Sequence, residues 1–299
     1  MKTLVIGLGI QGFKRLKTLK KFNVETVDPL NPKANYKSIY DVNLSKFKIA
    51  IVCTPEMEKY KIVKHLLNKK INVMVEKPFK ININQMKNLN KICLKNKIIF
   101  YIGYNHRFEP FIKKIQTLLE KKIIGKIYYV KMFYGNGTAS QINKSEWKDK
   151  KNGVVDDLIS HLLDFCEMFF KKRDIGKFHT IKKIKFENKS PDYALIMNNK
   201  NEVAISLEAS YLMWKNTFNL EMIGKKGSIH MKNFCKWGGS ELIIRKRKIP
   251  YGIPIEKKII IKKKDPTWEL ELEFFLNLIK RKKINLESYK WINNQLSNI

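Results

Sequence analysis

Gly7-Leu8-Gly9-Ile10-Gln11-Gly12 stands between a short β-branched run, Lys2 to Ile6, and a stretch of helical periodicity. No other feature limits the possible folds as much, because glycine at these three places joins a strand to a helix through bare backbone. Gly7 permits the tight turn, and Gly9 lets the backbone approach a pyrophosphate. Gly12 allows close helix–strand packing, while Ile10 and Gln11 open the helix whose free N–H groups face the anion. In that helix Phe13, Leu16 and Leu19 form the expected inward side. A second apolar strand, Val24 to Val27, closes at Asp28, 16 residues beyond Gly12. A carboxylate there accepts the ribose hydroxyls and repels a 2′-phosphate, so the spacing predicts NAD. Lys33 nearby leaves NADP open.

The alternation continues. Lys48 to Cys53 reads as a strand ending in Thr54-Pro55, and Glu56 to Asn68 as a helix with Ile62, Val63, Leu66 and Leu67 inward. Asn72 to Val75 is the next strand, Asn84 to Lys95 a helix, and Ile98 to Gly103 a further strand. Strands and helices in this order predict an α/β domain, an N-terminal Rossmann doubly wound parallel sheet over residues 1–122. Such sheets bind ligands beyond the carboxyl ends of their strands. The glycine turn, Asp28, Thr54-Pro55, Glu76-Lys77-Pro78 and Tyr104-Asn105-His106-Arg107 all fall at those ends.

Past Gly125 the pattern changes to short alternating strands, at 127–134, 180–186, 193–197, 203–210, 218–223, 228–231, 242–245 and 258–261. The helix from Asp157 to Phe170 interrupts early, and an amphipathic helix over 267–282 follows, its apolar side read as Leu270, Leu272, Phe275, Leu276 and Ile279. Residues 123–299 thus read as an α+β domain with a mostly antiparallel open sheet.

Composition bounds the partners. With 299 residues, 44% of them hydrophobic, the chain can bury a real core and divides into two domains. No run of about 18 apolar residues is free of charge, and the apolar start is too short for a signal peptide. The expectation is a cytoplasmic protein without membrane contact. Cys53, Cys93, Cys166 and Cys235 are widely spaced, suggesting neither disulfides nor a metal site. The net charge is +33, yet only six of the 60 basic residues are arginine and the lysines are spread along the whole chain. Nucleic-acid recognition favours clustered, arginine-rich charge, so nucleic acid is not the expected partner. The charge can still steer anionic substrates.

Gly7 to Gly12, Cys53-Thr54-Pro55, Val75-Glu76-Lys77-Pro78-Phe79 and Gly103-Tyr104-Asn105-His106-Arg107-Phe108 occur in that order, followed by Gly153-Val154-Val155-Asp156-Asp157-Leu158-Ile159-Ser160-His161. Together they resemble the glucose–fructose oxidoreductase / inositol dehydrogenase / MocA family, most densely over residues 1–165. The chain departs from the family pattern at Asn152-Gly153, Asp156 and Ile159, and at Lys59, where many members carry histidine. The resemblance implies an NAD(P)-dependent oxidoreductase acting on CH–OH groups of a sugar, cyclitol or nucleotide sugar. The Asp-Leu-Ile-Ser-His form is similar to members of surface-glycan and amino-sugar pathways. It also implies a homodimer or homotetramer, and a C-terminal helix packing back toward the first domain.

Asp157 and His161 are four apart on the expected helix and share a face, so the carboxylate can fix the imidazole's tautomer and stabilise its protonated form. Imidazole suits the removal of a hydroxyl proton near neutrality. The resemblance carries catalytic roles onto Lys77, Asp157 and His161, with Lys77 donating to the reacting oxygen. It implies cofactor contacts for Gly7, Gly9, Ile10, Gln11, Gly12, Asp28, Thr54, Pro55, Glu76, Lys77 and Asn105. His106, Arg107 and Asp156 are candidate substrate contacts. Two rival readings are a non-catalytic cofactor-binding sensor, which would lose the Lys77 and His161 pair, and a polyanion-binding protein.

Overall fold

The runs rich in Val and Ile at the start of the chain form strands buried on both faces, as parallel sheets require when helices cover both sides. The computed structural model describes residues 2–145, 149–150, 152–200, 202–282 and 287–299. The first elements are β1 (Lys2–Ile6), α1 (Ile10–Thr18), β2 (Asn23–Val27), β3 (Ile49–Val52), α2 (Glu56–Asn68), β4 (Asn72–Glu76), α3 (Ile83–Asn96) and β5 (Phe100–Gly103). The strands pair in parallel in the order β2-β1-β3-β4-β5. Leu4, Val5, Ile51, Val52, Val73 and Met74 are buried at its centre. Because β1 lies between β2 and β3, the connections leave it in opposite directions. The crevice for a ligand therefore opens at its carboxyl end, where the glycine turn stands.

The next elements are α4 (Pro110–Glu120), β6 (Ile127–Gly135), α5 (Ala139–Asn143), a π-helical turn (Val155–Ile159) running into α6 (Ser160–Phe169), and α7 (Lys172–Ile175). They are followed by β7 (Phe178–Ile184), β8 (Tyr193–Asn198), β9 (Ala204–Ser210), β10 (Thr217–Gly224), β11 (Gly227–Lys232), β12 (Ser240–Lys246) and β13 (Ile255–Ile261). Among the described residues, β6 to β13 form an eight-stranded sheet in the order β13-β12-β11-β10-β6-β9-β8-β7. All its pairings are antiparallel except β6 with β9. Period-two alternation sets its buried face, as with Ile205, Leu207 and Ala209 on β9 and Phe218, Leu220 and Met222 on β10. The chain ends with α8 (Thr267–Arg281) and α9 (Glu287–Asn298). The structure divides into two units, Met1–Asn105 with Thr267–Asn293, and His106–Pro266 with Asn294–Ile299.

Three expectations are corrected. The inward stripe of α1 is Gly12, Arg15 and Leu19, while Phe13 is 48% exposed. On α8 it is Glu271 that is buried and Leu270 that is exposed. In both helices a charged residue displaces an apolar one from the core because Arg15 and Glu271 neutralise each other there. The third is the helix expected from Asp157, which begins as a π turn, so its first residues do not follow the 3.6-residue period.

Candidate active site

Backbone geometry builds an open cradle at the end of β1. Gly7 has φ +91°, and a Cβ there would lie 2.8 Å from the carbonyl carbon of Cys53. A Cβ on Gly12 would lie 2.0 Å from the Gly7 oxygen, so only glycine lets α1 approach the turn this closely. A Cβ on Gly9 would meet nothing within 4 Å. Open space therefore stands before the first turn of α1, which holds no acidic side chain and has no side-chain cap. Ile10 and Gln11 are exposed beside it. The Asp28 carboxylate accepts the Leu8 N–H at 2.7 Å on one oxygen and the Leu30 and Asn31 N–H groups at 2.9 and 2.8 Å on the other. Partial burial works to raise its pKa, but these backbone donors outweigh it and hold the carboxyl below its ordinary value. Three of its roughly four acceptor directions are filled, which orients the group and leaves room for one ribose hydroxyl rather than two. Thr54 buries its hydroxyl oxygen with no hydrogen-bond partner among the described residues, and Pro55 caps α2. Open space, unopposed helix N–H groups and an oriented carboxylate fit a dinucleotide.

The turn after β4 is held from two sides. Glu76 turns its carboxylate inward, where Oε1 accepts from Arg15 Nε at 2.5 Å. Arg15 Nη2 reaches Glu271 Oε2 at 2.5 Å, and the Tyr101 hydroxyl donates to Glu271 Oε1 at 3.0 Å. The Trp268 ring lies 4.5 Å from the guanidinium carbon. Burial pushes the Glu271 carboxyl above its ordinary range; Arg15 opposes this and the second carboxylate, Glu76, adds to it. On the other side, Lys59 Nζ donates to the carbonyl oxygens of Glu76 at 2.6 Å and Pro78 at 2.8 Å. Lys77 lies between those carbonyls, half-buried, and its peptide bond to Pro78 is cis. Asn105 is buried and donates from Nδ2 to the Thr267 hydroxyl at 2.8 Å.

In the second unit the π turn carries Asp156, buried, and Asp157, half-buried. Asp157 Oδ2 accepts from the Tyr211 hydroxyl at 3.4 Å. Burial, with Asp157 and Asp156 close by, pushes the Tyr211 phenol well above its ordinary value. His161, one turn on, is buried with its ring stacked on His106 at 4.2 Å between centroids. Tyr134, Phe234 and the half-exposed Trp237 surround the His106 ring. The Lys236 ammonium lies 3.2 Å from His106 Nε2 and 3.1 Å from Asp265 Oδ2. Arg107 is engaged with Asp164 through Nε and Nη2 and with Glu167 at 3.2 Å. Burial pushes the Asp164 carboxyl up to about 6, against the pull of Arg107.

Sequence reasoning missed Arg15, Lys59, Glu271, Tyr211 and Lys236. For Lys59 a signal was present: it shares an i, i+4, i+7, i+8 stripe with Val63, Leu66 and Leu67 on α2, all four buried. Among the described residues no helix is long and apolar enough to cross a membrane, and no cluster of three His, Cys, Asp or Glu residues could hold a metal ion.

Residues 4–104 match the model of an oxidoreductase family with an NAD-binding Rossmann fold, and residues 112–230 match that of the GFO/IDH/MocA C-terminal domain. Glucose-6-phosphate 3-dehydrogenase of Bacillus subtilis is 24% identical over 191 residues, 59% of this chain and 55% of that protein. The chain spans about half the length of the curated relatives it matches. Levoglucosan dehydrogenase, solved with NADH and L-sorbose, superposes with a TM-score of 0.84 at 13% identity, covering 99% of this chain and 95% of that one. UDP-N-acetylglucosamine 3-dehydrogenase from Acidithiobacillus ferrooxidans gives 0.79 at 16% identity, covering 99% and 94%. At these identities the structural likeness is one of fold.

Proposed function

This chain belongs to the Gfo/Idh/MocA oxidoreductase family, and we propose that it is an NAD-dependent dehydrogenase acting on a secondary alcohol of a sugar, cyclitol or nucleotide sugar. The observation that carries this reading is the cradle at the end of β1. Open space over Gly9, unopposed N–H groups of α1 and a backbone-oriented Asp28 fit a pyrophosphate and its ribose. The carbohydrate class is supported by the relatives, since the three compared above are each named for a sugar or sugar nucleotide. A role in surface-glycan synthesis is consistent with that class.

NAD, when bound, supplies the hydride acceptor. Gly7, Gly9, Gly12, Ile10, Gln11, Thr54 and Pro55 shape the dinucleotide site, and Asp28 selects a ribose without a 2′-phosphate. Lys77 donates a hydrogen bond to the reacting oxygen and stabilises negative charge developing there. His161 takes the hydroxyl proton as the alcohol is oxidised, and the negative charge of Asp157 favours the resulting imidazolium. His106 and Asp156 contact the substrate. Arg107 acts indirectly, by fixing α6 through Asp164 and Glu167. Glu76 and Asn105 set the backbone at the nicotinamide end. The first unit binds the cofactor and the second the substrate. The reading of the chain as a homodimer or homotetramer rests on the family resemblance. Four free thiols suit a reducing compartment, the cytoplasm.

The test is turnover. Purified protein with NAD is offered a panel of hexoses, hexose phosphates, cyclitols and nucleotide sugars, and reduced-nicotinamide absorbance is followed. Reduction of NAD by one class, exceeding that of NADP, is the expected result. A protein that binds NADH and turns over none of the panel contradicts the substrate class, and one that binds no NADH contradicts the reading entirely.

A further inference from the structure

Lys59 is a buried lysine on the apolar stripe of α2. Burying an ammonium is unfavourable unless its donors are filled, and the donors here are directed at two main-chain carbonyls, Glu76 O at 2.6 Å and Pro78 O at 2.8 Å. β4 ends at Glu76, and Pro78 has no N–H to close the turn from within. An external donor therefore takes the part that a backbone N–H would play in an ordinary turn. Lys77 is the residue between the two bonded carbonyls.

We propose that Lys59 is a positioning residue for the Glu76-Lys77-Pro78 turn: it holds the carbonyls on both sides of Lys77 and thereby fixes how Lys77 and the backbone around it meet the nicotinamide end of the cofactor. This rests on the proposed NAD site. Burial pushes the Lys59 ammonium down to about 8, while the Glu76 and Glu56 carboxylates favour its charge and Lys77 opposes it. The group is thus mostly charged at neutral pH and donates to both oxygens. Arg15 holds the Glu76 carboxylate from the other side, so the segment is clamped at one residue through its side chain and through its carbonyl.

The clamp acts on the nicotinamide end and leaves the adenine end alone, which separates it from a general contribution to folding. The full-length protein is titrated with NADH and with ADP-ribose, a probe lacking nicotinamide, in wild type and in Lys59→Met. The expected result is NADH affinity lower by about tenfold with ADP-ribose affinity within about twofold, as for a turn at one end of the ligand that binding must now order. Lys59→Arg, which keeps a cationic donor, should recover most of the loss. Should Lys59→Met not fold, Lys59→Gln is read on the same ratio, with Lys59→Arg kept as the rescue. An equal loss for both probes, or no loss for either, in Lys59→Met or in Lys59→Gln overturns the proposal. Wild-type protein that binds neither probe overturns the proposed NAD site instead, so the two failures are distinct.

Discussion

The imidazole rings of His106 and His161 stack with 4.2 Å between centroids and 27° between planes. His106 follows β5 and His161 lies on α6, so two elements remote in sequence bring the rings together within the second unit. Glu109 helps to set this arrangement, since its buried carboxylate accepts the Cys235 N–H at 2.9 Å and anchors the segment that carries Lys236 to His106. A histidine proposed to move a proton is thus held by a ring whose own Nε2 faces an ammonium. That ring accepts at Nε2 and carries its proton on Nδ1.

His106→Ala removes the ring on which His161 rests. A loss of stability of about 2–4 kcal/mol is expected, as for deletion of a buried aromatic ring, with His106→Phe losing less because the stack survives. Urea unfolding of both variants checks this; equal stability of His106→Ala and wild type would contradict the packing role.

Arg15→Met leaves the buried carboxylates of Glu76 and Glu271 without their shared cation. A loss of about 3–5 kcal/mol follows from breaking a buried charge cluster by removing one partner. Adding Glu271→Gln should return part of it. Denaturant midpoints of the single and double variants measure this, and a double variant less stable than Arg15→Met alone would refute the charge argument.

Asp28→Ala removes the carboxylate that accepts three N–H groups and is proposed to select the ribose. NADH affinity should fall by about tenfold and the preference over NADPH should shrink, given the usual worth of a charge-assisted hydrogen bond. Fluorescence titration with both cofactors is the check, and an unchanged preference counts against the ribose contact.

Stability should also carry a signature of Lys59. Its ammonium titrates near 8 in the folded protein against an ordinary value of 10.5, so the folded state binds fewer protons between those values. The unfavourable buried charge is fully present below pH 8 and is relieved as pH rises to 10.5, a gain of about 3 kcal/mol. The stability difference between wild type and Lys59→Met should therefore shift in favour of wild type across that window. A constant difference would show that the group does not titrate there.

Much of the fold was legible because hydrophobic period and turn chemistry agree. The strand at 72–76 and the helix at 56–68 follow directly from Val73, Val75, Val63 and Leu66, and all eight later strands lie within a few residues of their expected places. Glycine chemistry placed the cradle at the end of β1. Charges in the core were only partly legible: Arg15 and Glu271 count as surface residues in any polarity pattern and are buried only because partners remote in sequence meet them, whereas Lys59 lies on the apolar stripe of α2 that marks it as inward. The π turn at Val155–Ile159 was equally hidden, because Val155, Leu158 and Ile159 are apolar enough to be read as the start of an ordinary helix. α4, α5, α7 and α9 were not read from the sequence; α5 and α7 are short, at five and four residues.

Lys77→Ala and His161→Ala test the account most directly. On the best substrate of the panel, each should reduce turnover with NAD by about a hundredfold or more while NADH affinity stays within about twofold, as for loss of a positioned acid–base group. Turnover at the wild-type rate in both variants would contradict the account.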